Sequence, residues 1–228
     1  PLLLFAGGLQ GAVINVPADH ALIQDAINAA APGDTVLIAA GLYAETIDFS
    51  GKAITVQGAG AGSTIIDATG IPGSVVTFTS GESQDSVLRD LTLTGGTGTI
   101  APDPVFGNVA CGGAIHVFGS SPSIRDCELT ANNCWGGGGL FCLRSSPTVD
   151  RCTFRANTAE GHGGGAYNLD YSDPKFTDCL FEMNDASWGG GMTSTVDCNP
   201  KITDCLFLAN TVFNVGGGMF TRSRSNPI

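Results

Sequence analysis

A repeat of about 26 residues constrains this chain more than any other feature of its sequence. Five blocks align on a proline, and the first four also align on a cysteine and an asparagine: SSPSIRDCELTAN, SSPTVDRCTFRAN, SDPKFTDCLFEMN, CNPKITDCLFLAN and SNPI. The prolines at positions 122, 147, 174, 200 and 227 are 25, 27, 26 and 27 residues apart. A cluster of glycines follows each complete block. Such a period predicts a solenoid in which each repeat forms one coil.

Two short strands are predicted in each coil. The pattern I-x-x-C-x-L/F alternates with period two near its end and would bury pairs such as Cys127 and Leu129. The glycine clusters exclude helices between the blocks, since Gly costs about 1 kcal/mol relative to Ala inside a helix. In the N-terminal half, segments 54–56, 75–78 and 87–93 are also predicted as strands. A second strand in each coil follows the glycines and begins at Ile115, Leu140, Ala166, Met192 and Met219.

Two solenoid folds fit this pattern, because I-x-x-C-x-F-x-x-N also matches the first half of a leucine-rich repeat. The second half favours an all-β, single-stranded right-handed parallel β-helix, since the chain returns through glycines and another strand. Coils of a β-helix stack about 4.8 Å apart, so equal positions form ladders. The glycines are expected at a corner with positive φ. Paired amides at a second corner with left-handed backbone are expected for Asn132, Asn157, Asn184 and Asn210.

A short α-helix within residues 19–30 is predicted to cap the N-terminal end of the solenoid. Asp19 is the expected N-cap, and the sequence Pro32-Gly33-Asp34 should end the helix. One helical face collects the apolar residues Leu22, Ile23, Ala26, Ile27 and Ala30.

Residues 1–12 are interpreted as the remnant of a secretory signal peptide, with Val13 as the mature N-terminus; a first β-strand is the alternative. Residues 13–228 would then form one β-helix domain, truncated at its C-terminus within a repeat. No other segment approaches the roughly 18 apolar residues that a transmembrane helix needs. We therefore expect a secreted or cell-surface protein, and a monomer.

Charge and cysteine content limit the ligands. Ten basic and 21 acidic residues give a net charge of −11, which argues against binding to nucleic acid. Zinc is disfavoured because no C-x-x-C pair occurs among the eight cysteines. Cys111 and Cys134 could form a disulfide. Buried free thiols are expected in the ladder of Cys127, Cys152, Cys179 and Cys205, since parallel in-register side chains have poor disulfide geometry.

The segments IQDAINAAAPGDTVLIAAGLYAETI and GKAITVQGAGAGSTIID resemble the N-terminal part of pectin-lyase-like right-handed β-helix proteins. The later GGAI and F-x-x-N motifs are similar to repeats of chlamydial polymorphic membrane proteins and of bacterial surface β-helix proteins. The resemblance covers about residues 13–228 and implies a fold rather than an activity.

The catalytic signatures of that superfamily do not occur in the sequence: there is no Asp-Asp pair, no R-x-P-x-x-R and no G-x-x-D-F-I-F-G. The first hypothesis is therefore a secreted or surface-displayed scaffold for binding or adhesion that could recognise polysaccharide. The alternative is a polysaccharide lyase or glycoside hydrolase of the same superfamily.

Charged residues precede the ladder cysteines and have two interpretations. They could form a catalytic constellation, or a solvated ladder of ion pairs on an exposed face. These residues are Asp126, Arg151, Asp178 and Asp204. A neighbouring turn carries Asp170, Asp173 and Asp197, which could hold Ca²⁺; without that ion no cofactor is expected.

An aromatic column is predicted to face outward beside the glycines, and it also has two interpretations. Exposed rings could form a strip on which sugar rings stack, or the rings could stack on one another and shield the sheet. The column contains His116, Phe141, Tyr167, Thr193 and Phe220, and it is preceded in the turns by Trp135, His162 and Trp188. The histidines occupy different columns and do not predict a metal site.

Overall fold

The computed structural model describes residues 11–103 and 106–228, which form a right-handed parallel β-solenoid of about eight turns. The predicted fold class is confirmed, and the described residues lack the helical return of a leucine-rich repeat. Residues 1–10, most of the predicted signal peptide, lie outside the described residues. Within the described ranges, no helix has the length and apolar character needed to span a bilayer.

Four sheets, named A to D here, run along the solenoid. Sheet A contains Val13–Val16, Thr35–Ile38, Thr55–Gln57, Val87–Arg89, Ser123–Arg125, Thr148–Asp150, Lys175–Thr177 and Lys201–Thr203. Sheet B contains Gly41–Tyr43, Thr64–Asp67, Thr92–Thr94, Glu128–Thr130, Thr153–Arg155, Leu180–Glu182 and Leu206–Leu208. Sheet C contains Ile47–Asp48, Val76–Phe78, Ile115–Phe118, Leu140–Leu143, Ala166–Leu169, Met192–Thr195 and Met219–Arg222. Sheet D contains Thr99–Asp103, Gly107–Cys111, Asn133–Gly136, Thr158–His162, Asp185–Trp188 and Thr211–Val215.

A regular coil visits sheets A, B, D and C in that order, so the prediction of two strands per coil was wrong. The pattern I-x-x-C-x-L/F predicts one strand, but the chain turns a corner at Asp126, whose φ is 52°, and so forms two. The predicted strand 87–93 is divided in the same way at Asp90, with a φ of 59°. The corner explains why the apolar residues Ile124 and Cys127 are three positions apart rather than two: both point inward, on either side of the turn.

Corners with left-handed backbone recur in every coil. One glycine of each cluster adopts positive φ, as Gly137 does with 65°, which confirms the glycine corner. The other predicted left-handed corner was misplaced by one residue. Ala131, not Asn132, has a φ of 54°, because the asparagine amide must point inward to pair.

Two ladders confirm the in-register stacking. Each asparagine amide donates to the next, over 3.0 Å from Asn132 to Asn157, 3.0 Å from Asn157 to Asn184 and 2.9 Å from Asn184 to Asn210. Beside them, the rings of Phe154, Phe181 and Phe207 are stacked with centroids 4.5 and 4.6 Å apart. The solenoid interior is therefore held by contacts between equal positions of consecutive coils.

One helix, Ile23–Ala29, covers the N-terminal end and packs Ile23, Ala26 and Ile27 into the core, as predicted. Asp19 is not its N-cap. The carboxylate of Glu45 accepts hydrogen bonds from the backbone N–H groups of Ile23 (3.0 Å) and Gln24 (3.1 Å) instead. Because the helix begins later than predicted, Leu22 precedes it and is half exposed.

Candidate functional site

The hairpin formed by Thr99–Asp103 and Gly107–Cys111 was not predicted, and it creates the candidate site. It is inserted in one coil between the strands of sheets B and C, and it joins sheet D through Cys111 and Gly136. The insertion left a sequence signal: Leu93 and Ile115 are 22 residues apart, whereas the equivalent Leu129 and Leu140 are 11 apart.

The hairpin covers the outer face of sheet C. Ala101 and Val109 pack against Phe141, Tyr167 and their neighbours in a second apolar cluster outside the solenoid core. The predicted column thus faces away from the core. Its members His116, Phe141, Tyr167 and Thr193 are all buried and neighbouring rings contact each other, which matches the interpretation of stacked rings that shield the sheet rather than that of an exposed strip. Burial lowers the pKa of His116, whose Nδ1 lies 3.2 Å from the carbonyl oxygen of Cys111.

The aromatic rings at the edge of this cluster contact one another. His162 stacks on Tyr167 with ring centroids 5.2 Å apart and on Trp188 at 4.9 Å, while Trp135 meets it edge-on at 5.6 Å. Phe220 is parallel to the same imidazole at 6.4 Å. His162 and Tyr167 are buried, whereas the other three rings are partly exposed. The structure therefore brings together the predicted aromatic residues, as a cluster with an accessible rim rather than an open strip.

A small cavity of about 70 Å³, called the tip pocket here, lies where the end of the hairpin meets this cluster. The Tyr167 hydroxyl donates to Asp103 Oδ2 over 2.9 Å and lies 3.4 Å from Thr195 Oγ1. Asp103 also accepts a hydrogen bond from the Phe106 backbone N–H over 2.9 Å. The pocket is lined by Asp103, Phe106, His162, Tyr167, Leu169, Thr195, Val196, Arg222 and Ser223.

Burial keeps two titratable groups of the tip pocket, His162 and Tyr167, in their neutral forms. Burial lowers the pKa of His162 to about 4, so its imidazole is neutral at pH 7. Among the described residues, His162 Nδ1 has no hydrogen-bond partner although the side chain is buried. Burial also raises the pKa of the Tyr167 phenol, which keeps its proton. The pocket thus offers a neutral imidazole nitrogen and two hydroxyl groups beside the Asp103 carboxylate.

A larger cavity of about 310 Å³, called the side cavity here, lies on the other side of Asp103. Arg144 Nε donates to Asp170 Oδ2 over 2.6 Å at its edge. Asp103 and Val196 line both cavities, so the two cavities are neighbours, and together they are called the groove here. The side cavity is lined by Pro102, Asp103, Phe118, Leu143, Arg144, Asp170 and Val196.

Two members of the charged column before the ladder cysteines, Asp126 and Arg151, form an ion pair. Arg151 binds both carboxylate oxygens of Asp126, over 2.7 and 2.9 Å, and also contacts Asp150. The Arg151 hydrogen bonds lower the pKa of Asp126. Asp178 and Asp204 occupy the equivalent exposed corners, with φ near 51°. These contacts match the ion-pair interpretation.

The calcium hypothesis does not fit the geometry. Asp170 pairs with Arg144, Asp197 pairs with Arg224 over 2.7 Å, and Asp173 accepts a hydrogen bond from the Asn199 backbone. Across residues 11–103 and 106–228, no three His, Cys, Asp or Glu side chains converge as a metal site would require. The predicted set is wrong because each of its carboxylates is bound to a different neighbour.

All eight cysteines are thiols, and seven of them are buried. Burial raises the pKa of Cys134 and of Cys198 to about 12, so both stay protonated at neutral pH. The ladder thiols lie against carbonyl groups of the preceding coil, as Cys152 does against Ile124. They serve as small interior side chains.

Comparison with known proteins identifies the class. The sequence matches the family described as right handed beta helix region over residues 83–228, and the chain belongs to that family. The fold is similar to a pectin methylesterase in complex with a hexasaccharide, with a TM-score of 0.50 and 15% identity over 86% of this chain and 66% of that one. It is equally similar to pectin methylesterase from carrot, with a TM-score of 0.50 and 17% identity over 84% of this chain and 62% of that one.

At these identities the likeness shows the pectin-lyase-like fold alone, as the sequence resemblance implied. The chain spans less than two thirds of the length of these two enzymes. No curated protein sequence matches it.

Proposed function

We propose that this protein binds polysaccharide in the groove formed by the tip pocket and the side cavity. The observation that carries the proposal is the placement of partly exposed aromatic rings beside hydrogen-bonding groups that converge on one cavity. Sugars present apolar ring faces and hydroxyl groups, and sites for them combine aromatic surfaces with a few positioned polar groups. One of the similar structures, a pectin methylesterase, is a complex with a hexasaccharide, which supports a saccharide ligand on this fold.

The polar groups have the chemistry that hydroxyl ligands need. A hydroxyl both donates and accepts, so it can satisfy the unpartnered His162 nitrogen in either tautomer. A cavity of about 70 Å³ has room for a few water molecules or for one hydroxymethyl group. A sugar ring would therefore occupy the side cavity or the aromatic rim, with one substituent in the tip pocket.

Retention on insoluble polysaccharides tests the proposal. We expect Trp188→Ala and Tyr167→Phe to weaken retention, because the first removes a ring from the rim and the second removes the hydroxyl bound to Asp103. Phe213→Ala is the matched control, since this ring is exposed and lines neither cavity. Retention that is unchanged in both site variants, or equally reduced in the control, would contradict the proposed groove.

A glycoside hydrolase or polysaccharide lyase is the second candidate, and one observation favours it. Two carboxylates, Asp103 and Asp170, line the side cavity, and most glycoside hydrolases use a pair of acidic residues. We expect Asp103→Asn to abolish any release of reducing ends from a polysaccharide that the protein retains. If no retained polysaccharide yields reducing ends or unsaturated products, the enzyme candidate is contradicted and only the binding function remains.

We further propose that the protein acts as a secreted or cell-surface monomer, as a scaffold for binding or adhesion. Support for this location comes only from the resemblance of the GGAI and F-x-x-N motifs to repeats of surface β-helix proteins, since the comparisons with known proteins do not show a similarity to chlamydial polymorphic membrane proteins. Fractionation of the source cells tests the location, and light scattering of the purified protein tests the monomer. Recovery of the protein from the cytosol would contradict the proposed location, and a stable dimer would contradict the proposed monomer.

A further inference from the structure

If the groove binds polysaccharide, as proposed above, the charges that line it distinguish neutral from acidic polymers. We infer that the polysaccharide bound there is neutral rather than a polyuronate. The inference rests on which charged side chains line the two cavities and on how they are paired.

The groove offers no excess of positive charge. Its ionised lining residues are two acids, Asp103 and Asp170, and two bases, Arg144 and Arg222. Arg144 is bound to Asp170 over 2.6 Å, so its guanidinium already has an anionic partner. Arg222 lines the same pocket as Asp103, and His162 adds no charge at pH 7. The lining therefore sums to zero formal charge.

A polyuronate carries one carboxylate on each sugar and needs cations or positive groups to compensate them. This groove would instead place carboxylates of the ligand near Asp103, which lies between the two cavities. The surrounding field opposes such a ligand as well, because the whole chain carries a net charge of −11. In the part of the chain that the structure describes, no acidic cluster is arranged to bridge a uronate through a metal ion.

A neutral sugar fits the same groups without this conflict. Its hydroxyls can donate to the Asp103 carboxylate, and a charged acceptor of this kind forms stronger hydrogen bonds than a neutral one. Thr195 Oγ1 and His162 Nδ1 can accept from or donate to neighbouring hydroxyls. The carboxylate that repels a polyuronate thus becomes the main acceptor for a neutral ligand.

The experiment compares neutral and acidic polymers on the same protein. Retention is measured on cellulose and chitin, and migration is measured in native gels containing galactomannan, xylan, polygalacturonate or alginate. We expect at least one neutral polymer to bind and neither polyuronate to bind. The affinity for the neutral polymer should be the same in roughly 20 and 200 mM NaCl, because this range of salt screens exposed charges. Retardation by a polyuronate that weakens with salt would overturn the inference while the proposed function stands. Binding to none of these polymers would overturn the proposed function itself.

Asp103→Asn provides the decisive variant, because the two ligand classes predict opposite effects. For a neutral polymer we expect at least a tenfold loss of affinity, since a strong acceptor is replaced by a weaker amide. For a polyuronate the same change would strengthen binding by removing a repulsive charge. Asp85→Asn is the matched control: it changes the net charge equally at an exposed turn outside both cavities. Unchanged affinity of Asp103→Asn for every neutral polymer that the protein binds contradicts the inference.

Discussion

Replacing Asn157 by Ala tests the asparagine ladder, the interaction that most directly locks one coil onto the next. The Asn157 side chain makes four hydrogen bonds. It accepts from the backbone N–H and the amide of Asn132, over 3.2 and 3.0 Å. It donates to Leu129 O over 2.8 Å and to Asn184 Oδ1 over 3.0 Å. Alanine removes all four and leaves their partners inside the solenoid, where Asn157 itself is fully buried.

The size of the effect follows from how many partners lose their only contact. A buried polar group left without a hydrogen bond costs about 1–3 kcal/mol. The Asn132 amide keeps bonds to Leu93 O and Thr130 O, and Asn184 Oδ1 keeps the Asn157 backbone N–H. Leu129 O belongs to a strand that pairs with Thr153–Arg155, so the Asn132 backbone N–H carries most of the cost. We expect a loss of about 3 kcal/mol in the free energy of unfolding, a large part of the roughly 5–15 kcal/mol typical of a folded domain.

Urea unfolding followed by circular dichroism measures this loss, with Asn210→Ala as the matched control. Asn210 occupies the same position in the last coil and is partly exposed, so water can replace its bonds to Asn184 and Phe181. We expect the control to lose about 1 kcal/mol, the typical net worth of a hydrogen bond. Equal losses at the two positions, or a loss below about 1 kcal/mol at Asn157, would refute the reasoning from buried unsatisfied groups.

Three further changes test other parts of the structure. The His162 imidazole takes up a proton near pH 6.5 in the unfolded chain but only near pH 4 in the folded protein. Acidification from pH 7 to pH 5 should therefore lower the free energy of unfolding by about 2 kcal/mol through this group. His162→Phe should remove that part of the pH dependence in urea titrations. Gly165→Ala should destabilise by about 3 kcal/mol in the same assay, since the added Cβ would clash with the carbonyl oxygen of Gly191. Glu45→Ala should cost about 1 kcal/mol and lower the melting temperature, because the helix loses its capping carboxylate.

Each of these changes has its own control. His20→Phe removes a partly exposed histidine, and an equal effect on the pH slope would contradict the assignment to His162. Gly218→Ala adds the same methyl group where the nearest atom is 3.6 Å away, so a similar loss at both glycines would exclude the close approach as the cause. Glu45→Gln retains an acceptor oxygen, and a loss as large as with alanine would argue against capping.

The candidate site shows where sequence reasoning succeeded and where it failed. The period placed Tyr167 on the outer side of the solenoid, and the structure confirms that it lies outside the core. His162 was predicted in a turn, but it ends the strand Thr158–His162 and stacks on Tyr167. Their burial could not be predicted, because it depends on a hairpin that occurs in one coil only. Asp103 belongs to this hairpin and was missed for the same reason. Arg222 was missed although it is in register with Thr195, because the equivalent residues of the preceding coils carry no charge.

Interactions between equal positions of consecutive coils were available from the sequence, since stacking repeats them every 26 residues or so. The solenoid, its asparagine ladder and its glycine corners all follow from that local rule. The groove depends on a contact that does not recur from coil to coil. The Tyr167 hydroxyl donates to Asp103, which lies 64 residues earlier in the chain. Only folding could decide that contact, because the hairpin is positioned by packing against the finished sheet rather than by its own residue pattern.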